Sequence, residues 1–386
     1  MGLSTYSFNL PTRIEFGDGV IKNVGKEAKK LSATKVMIVT DKGVIGAGLV
    51  KPVEDALQTE GVDYILFDKV VANPRIAHCN EGYEKAKAER VDCLVAVGGG
   101  SSMDTAKAVG TLLTHGKTVQ DWCGFQLLER EITPLIAIPT TAGTGSEVTP
   151  FAVVTDTESH TKLNIFDPKA AAKVALIDPS VLIKLPSRMM ASTGVDALTH
   201  AVEAYTCTLA IPHTDAYALY AIELIMKNLR GAVNSPNIEN CTGMMLGSSI
   251  AGIAFGYSDV GAVHCMAEAI GGRYDTPHGV SCAVFLPDVT RFNISADVEK
   301  YANMAKYLGV NTTGMTPAEA AEKGVQAIEQ LCRDVDIPRF RDIEGVKPED
   351  FEALAIASEK NVSTPSNPRK ITAADYLELF KQAYNS

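Results

Sequence analysis

No run of apolar residues in the chain approaches the ~20 that a bilayer-spanning helix needs. Basic residues are outnumbered, 36 Lys and Arg against 46 Asp and Glu, for a formal charge of −10. That balance argues against nucleic acid or an anionic membrane as partner, since either calls for a basic surface. The N-terminal stretch MGLSTYSFNLPTRIEFGDG lacks a basic segment followed by an apolar one, so no secretory signal is expected. The cysteines (Cys79, Cys93, Cys123, Cys207, Cys241, Cys265, Cys282 and Cys332) stand singly, with no C-x-x-C pair. Scattered thiols of this kind point to a reducing cytoplasm, and several sit in apolar runs as small hydrophobes. Histidine is scarce too, with seven in all. Scarcity makes their placement informative.

What is present is a globular chain. Hydrophobic residues make up 46% and charged residues 21% of 386, ample for a core and long enough for two domains. In the first half, short β-rich runs (35–41, 63–69, 93–99, 134–140, 151–157, 174–179) alternate with helical patterns (20–31, 48–60, 76–90, 102–115). That alternation predicts a parallel sheet covered on both faces, with ligands at the carboxyl ends of its strands. From about residue 187 the pattern is helical: 187–206, 214–230, 238–255, 261–270, 294–307, 317–334, 348–358 and 373–384. Pro186 marks the seam. The expected architecture is an α/β domain over residues 1–185 followed by an all-helical domain over 186–386, with the active site in the cleft between them.

Two glycine-rich turns follow predicted strands. VAVGGGSSMDTAK (95–107) runs through Gly98, Gly99 and Gly100 into a helix whose first amides favour an anion. Ser101 and Ser102 add hydroxyl donors and are candidate caps. The turn is not G-x-G-x-x-G, so the Rossmann fingerprint is absent here. IPTTAGTGSEVTP (138–150) supplies Thr140, Thr141, Thr144 and Ser146. Either turn alone reads also as a plain connection; two at strand ends of one sheet point to a nucleotide or dinucleotide. Asp41 closes the strand KVMIVTD. There it either accepts from an adenosine 2′-hydroxyl, favouring NAD(H) over NADP(H), or caps a helix.

STGVDALTHAVEAYT (192–206) reads as a buried helix, yet Asp196 and His200 lie four apart on one face. Burying both is costly unless something satisfies them. A hydrogen-bonded Asp–His pair does so, and so does a metal ion. His264 in GAVHCMAEAIGG and His278 in YDTPHGVS lie in similar apolar or glycine-bounded segments. One Asp with three His completes a divalent sphere suited to Fe(II) or Zn(II). His78, His115, His160 and His213 sit in polar or turn-like contexts and are expected at the surface.

In order along the chain, IEFGDG, VTDKGV, NP (73–74), GGGSSMDTAKA, IPTTAGTGSEVT, GVDALTHAVEAY, AGIAFGYSDVGAVH, YDTPHGVSCAVFLP and NPRKIT resemble the iron-containing (group III) alcohol dehydrogenases. The resemblance covers essentially the whole chain and implies the dehydroquinate synthase-like architecture. It implies that Asp196, His200, His264 and His278 hold the catalytic metal, Fe2+ or Zn2+. It implies that the turn from Gly98 to Ser102 binds the NAD pyrophosphate and that Thr140, Thr141 and Thr144 contact the cofactor. Asp41 falls at the adenosine ribose, and Asn73, Lys162 and Leu182 match positions lining the cofactor site. A homodimer or higher homo-oligomer is implied, as is reversible hydride transfer between NAD(H) and a small primary alcohol or diol.

One position departs. Relatives commonly have H-x-x-x-H where this chain reads HCMAE, placing Glu268 where a proton-relay histidine is usual. A carboxylate anion accepts only, and its charge favours a cationic or heavily hydroxylated ligand. The plain alternative is a hydrogen bond within its own helix. Phe255 matches a pocket wall, and GYSDV with Asp259 departs from the usual SN type. Two rivals share the architecture. One is polyol oxidation of the glycerol dehydrogenase kind. The other is a dehydroquinate synthase-like lyase, which needs basic phosphate ligands; no Lys and Arg cluster stands beside the histidines.

Overall fold

A computed structural model describes residues 5–158 and 161–386; His160, expected at the surface, lies outside them. The first half builds a parallel sheet from β1 (Arg13–Phe16), β2 (Lys35–Val39), β3 (Asp63–Phe67), β4 (Cys93–Gly98), β6 (Leu135–Pro139) and β9 (Val174–Ile177). Their order is β1-β9-β6-β4-β2-β3. Strand residues alternate between faces. Val36 and Ile38 join the core with Val24 and Ala28 of α1 (Val24–Lys30). After the short α2 (Lys42–Gly46), α3 (Lys51–Thr59) adds Val53 and Leu57 to the same face. Met37 and Val39 face the other way, against Ala86 of α4 (Ile76–Ala88) and Ala106 and Val109 of α5 (Gly100–His115). Both faces are apolar, as a buried parallel sheet requires.

The run 151–157 corrects the expectation of a single sheet. β7 (Phe151–Asp156) pairs antiparallel with β8 (Thr161–Phe166), and β5 (Gly124–Phe125) lies on the other edge of β8. The sequence TKLNIF hid its strand because Lys162 and Asn164 interrupt the apolar signal. Ile165 nevertheless packs with Val154, Leu112 and Trp122 in a separate small core.

After Pro186 the structure is helical: α6 (Ser187–Thr206), α7 (Pro212–Asn234), α8 (Ile238–Gly256), α9 (Ala262–Tyr274), α10 (His278–Asn293), α11 (Val298–Tyr307), α12 (Pro317–Asp334), α13 (Phe351–Glu359) and α14 (Ala373–Asn385). The sequence pattern did not expose α10, whose interior Pro287 reads as a breaker although the helix continues through it. One core runs from Ile38 of the sheet through Val195 of α6 to Phe380 of α14. The sheet's loops therefore sit directly on the helices. Gly145, at φ +60°, approaches α8 so closely that a Cβ there would stand 2.5 Å from the Gly252 Cα. No helix among the described residues is long and apolar enough to cross a membrane.

Candidate active site

β4 and β6 are neighbours whose ends meet at the pair Gly98–Pro139, so the two glycine-rich turns start side by side at the carboxyl edge. Glycine is what lets them pack. A Cβ would lie 2.2 Å from Ser102 Oγ if placed on Gly98, and 2.8 Å from Thr144 Cγ2 if placed on Gly100. On Gly99 it would lie 3.3 Å from Thr141 Oγ1. Neither Ser101 nor Ser102 caps α5, contrary to expectation. The N-cap is Gly99, with no side-chain bond, so the first amides remain open to an anion. Ser102 Oγ is buried without a partner, and Thr140 is buried nearby.

Asp41 takes the capping role, the second of its two expected readings. Its Oδ1 accepts from the N–H groups of Gly43 (2.7 Å) and Val44 (3.0 Å), capping α2. Its Oδ2 lies 3.8 Å from where a Gly98 Cβ would be, at the rim of the first turn. Asn73, at φ 52°, donates from Nδ2 to Asp275 Oδ1 (2.8 Å), linking the first half to the end of α9. Lys162 of β8 lies close enough for its charge to act on Asp104, Asp196 and His278. Leu182 is 0% exposed and packs in the main core, presenting no free surface.

Lys107, quoted in the first motif without a role, ties the two turns together. Fully buried, its Nζ donates to Ser146 O (2.7 Å), Ser146 Oγ (3.0 Å), Thr149 O (3.0 Å) and Phe151 O (2.7 Å). Burial pulls its pKa down to about 8. Asp104, one turn earlier, accepts from Ser146 Oγ (2.8 Å).

The second turn is docked on α6: a Cβ on Gly143 would lie 2.8 Å from the Thr193 Cβ. α6 then carries Asp196, His200 and Glu203 along one face, all buried. α9 brings His264 in its first turn, and α10 begins at His278. Asp196, His264, His278 and Cys282 converge, one ligand atom from each lying within 4.8 Å of the others. Cys282 stands one turn after His278, with Sγ 3.7 Å from Nε2. His200 stands beside this group. Its ring stacks on Phe255 (centroids 4.0 Å apart, 12° between planes) and is 4.6 Å from the His264 ring.

Asp196 Oδ1, His200 Nδ1, His264 Nε2 and His278 Nδ1 are buried atoms without hydrogen-bond partners. So many orphaned donors and acceptors in one place are costly. A divalent cation held by Asp196, His264 and His278, with Cys282 and His200 beside them, would relieve that cost, and a nitrogen and carboxylate set fits Fe(II) or Zn(II). Burial raises Asp196 to about 6. Burial, aided at His278 by the Lys162 charge, holds His200 and His278 well below the usual histidine value. Both are neutral and ready to ligate at neutral pH. His264 differs. Burial pulls it down, but the hydrogen bond and charge of Glu203 outweigh that and leave its pKa raised.

Glu268 follows His264 by one turn of α9. The bond within its own helix is not what the structure shows: Oε2 accepts from Asn361 Nδ2 across to another segment (2.7 Å). Asp259, the other departure, accepts from Ser363 and Ser366 of that same segment.

Residues 11–179 match the family described as iron-containing alcohol dehydrogenase, and residues 190–384 match that family's C-terminal domain. The chain belongs to the iron-containing alcohol dehydrogenases. It is 40% identical to the 1,3-propanediol dehydrogenase of Citrobacter freundii over 100% of both chains. It is also 40% identical to the choline dehydrogenase of Bacillus subtilis (strain 168), over 98% of this chain and 95% of that one. A crystal structure of 1,3-propanediol oxidoreductase superposes with a TM-score of 0.96 at 39% identity, covering 98% of this chain and 100% of that one.

As an iron-containing alcohol dehydrogenase the chain is an oxidoreductase of the alcohol–aldehyde couple, with NAD and a divalent metal as cofactors. Sequence reading passed over Glu203, Lys107 and Cys282. All three lie inside quoted motifs, and Cys282 follows His278 by the same four-residue step that joins Asp196 to His200.

Proposed function

We propose that this enzyme transfers hydride reversibly between NAD(H) and a small primary alcohol or diol, in the cleft between residues 1–185 and 186–386. The observation that carries this reading is the seating of the 140–146 turn on α6, at Thr193, one helical turn before Asp196. Dinucleotide crevice and orphaned ligand cluster are thereby parts of one site.

Asp196, His264 and His278, with His200 and Cys282 beside them, would hold the metal, Fe(II) or Zn(II). Such an ion supplies Lewis-acid stabilisation of negative charge on the substrate oxygen. The Gly98–Gly100 turn and the uncapped amides of α5 hold the pyrophosphate. Thr140, Thr141 and Thr144 border it, and Asp41 Oδ2 accepts from the adenosine 2′-hydroxyl. Phe255 forms an apolar wall against His200. Holding the carbinol carbon against the nicotinamide makes the transfer effectively unimolecular.

Two relatives at the same 40% identity are named for different substrates, 1,3-propanediol and choline. Substrate choice therefore belongs to local residues. We read the enzyme as cytoplasmic, which its free cysteines support, and as a homo-oligomer, which the part-exposed edge strand β1 supports.

The test is NADH formation by protein purified anaerobically, stripped by chelator and reloaded with Fe(II) or Zn(II). Ethanol, 1-butanol, 1,2- and 1,3-propanediol and glycerol serve as substrates. Metal-dependent turnover is expected. Bound metal and NAD without turnover of any of them would overturn the reading.

A further inference from the structure

Glu268 is a part-buried carboxylate with no cation beside it. Among the described residues it joins no ion pair, and its one hydrogen-bond partner is the neutral amide of Asn361. It rises from the same face of α9 as His264, and its charge reaches both His264 and Cys282. His264 is only 4% exposed, and its Nε2 is an orphan. Glu268 thus stands one turn along α9 from His264, on the helix face that carries one of the unpartnered ligand atoms. The other carboxylates there are committed: Glu203 to His264 and the Val263 N–H, Asp196 to the ligand cluster.

Its placement is rigid. The segment 361–367 is fastened to α9, to α10 and to the connection between α8 and α9. Ser363 Oγ donates to Asp259 Oδ1 (2.9 Å), and Ser366 bonds the other oxygen. Asn367 Oδ1 accepts from the Ala262 N–H (3.2 Å) and from Asn293 Nδ2 (2.9 Å). Asn361 therefore fixes Oε2, while Oε1 has no partner among the described residues. A carboxylate only accepts. Covering it with an apolar ligand leaves a desolvated charge unpaired, whereas a ligand that donates to it restores the bond.

We propose that Glu268, held by Asn361, is a subsite for the substrate's polar tail: an alcohol bearing an N–H or O–H donor a few carbons from its carbinol. An ammonium is favoured over a hydroxyl because it adds the attraction of opposite full charges to the hydrogen bond. This assignment rests on the dehydrogenase reading above.

The experiment compares kcat/KM for 1-butanol, 1,3-propanediol and 3-amino-1-propanol with metal-loaded enzyme and NAD. Wild type favours the amino alcohol over 1-butanol by at least about tenfold, and Glu268→Ala removes that preference, chiefly through KM. Glu268→Gln, which conserves shape, removes the preference for ammonium over hydroxyl and keeps that for diol over 1-butanol. Equal losses on all three substrates would make Glu268 a proton-relay group and overturn the subsite. Ratios unchanged in both variants would overturn it as well. If Glu268→Ala does not fold, Glu268→Gln decides: an ammonium preference equal to wild type rejects the proposal. Turnover of 1-butanol without a donor-tail preference in wild type rejects the subsite alone. Absence of turnover with every alcohol rejects the dehydrogenase reading beneath it.

Discussion

Glu203 Oε2 lies 2.5 Å from His264 Nδ1, while His264 Nε2, on the far side of the ring, has no partner. The carboxylate orients the imidazole so that Nδ1–H donates to it and Nε2 presents its lone pair to the ligand cluster. Its other oxygen accepts from the Val263 N–H (2.7 Å), fastening the start of α9. Glu203→Ala is expected to weaken metal affinity by roughly 10–100-fold, with Glu203→Gln intermediate because its amide oxygen still accepts. Chelator competition measures this. Wild-type affinity in Glu203→Ala would leave the residue only its role in fastening the helix.

His264→Ala removes the ring itself. It is expected to lose metal and activity while the fold persists, since the site sits within a core that runs through both halves of the chain. Metal content after dialysis, read beside circular dichroism, checks it; retained metal would sink the ligand assignment.

Asp196 titrates at about 6 in the metal-free chain because burial penalises its charged form. A free aspartate titrates near 3.9, about two units lower. Between those values the folded chain holds a proton that the unfolded chain has released, so this group lowers apo-protein stability as pH rises through the window. Ligation runs the other way, because the carboxylate must be deprotonated to bind. The melting-temperature gap between loaded and stripped protein is therefore expected to narrow as pH falls below about 6. A gap independent of pH would remove Asp196 from the ligand set.

Asp41 both caps α2 and faces the first turn, and two substitutions separate these roles. Asp41→Asn keeps the cap and removes the charge. Asp41→Ala removes both, at a cost of about 1 kcal/mol for the lost cap. The NADP/NAD ratio of kcat/KM is expected to rise in both variants, with melting temperature falling only in the alanine variant. An unchanged ratio in Asp41→Asn would assign the residue to capping alone.

Asp196 and His200 were legible in the sequence because two ionisable groups four apart stand out in an apolar helix. The glycine turns were legible because each follows a strand. His264 and His278 drew notice as scarce residues in apolar surroundings, and resemblance to a family supplied their role; spacing could not bring three helices together. Glu203 was opaque because its meaning lies in a partner 61 residues away. Cys282 reads as a small hydrophobe until α10 turns it toward His278. That helix was itself hidden by Pro287, and β8 by its polar residues. In each case the deciding fact is a tertiary contact, which local pattern does not carry.

Lys107 makes the strongest claim on the cofactor turn. Its Nζ holds three backbone carbonyls of the 146–151 segment, and with Asp104 it brackets Ser146. Lys107→Met fills similar volume but leaves those oxygens buried and unpaired, a loss on the order of 3 kcal/mol for hydrogen bonds to a charged group. The lowered pKa of about 8 reflects burial working against the charge, which the carboxylates of Asp104 and Glu147 offset in part. Because the lysine touches neither substrate nor ligand cluster, its loss should act through the position of Thr140, Thr141 and Thr144. KM for NAD is therefore expected to rise more than kcat falls, alongside a lower melting temperature. A destabilised enzyme with unaltered KM for NAD would confine Lys107 to the fold and separate the second turn from cofactor binding.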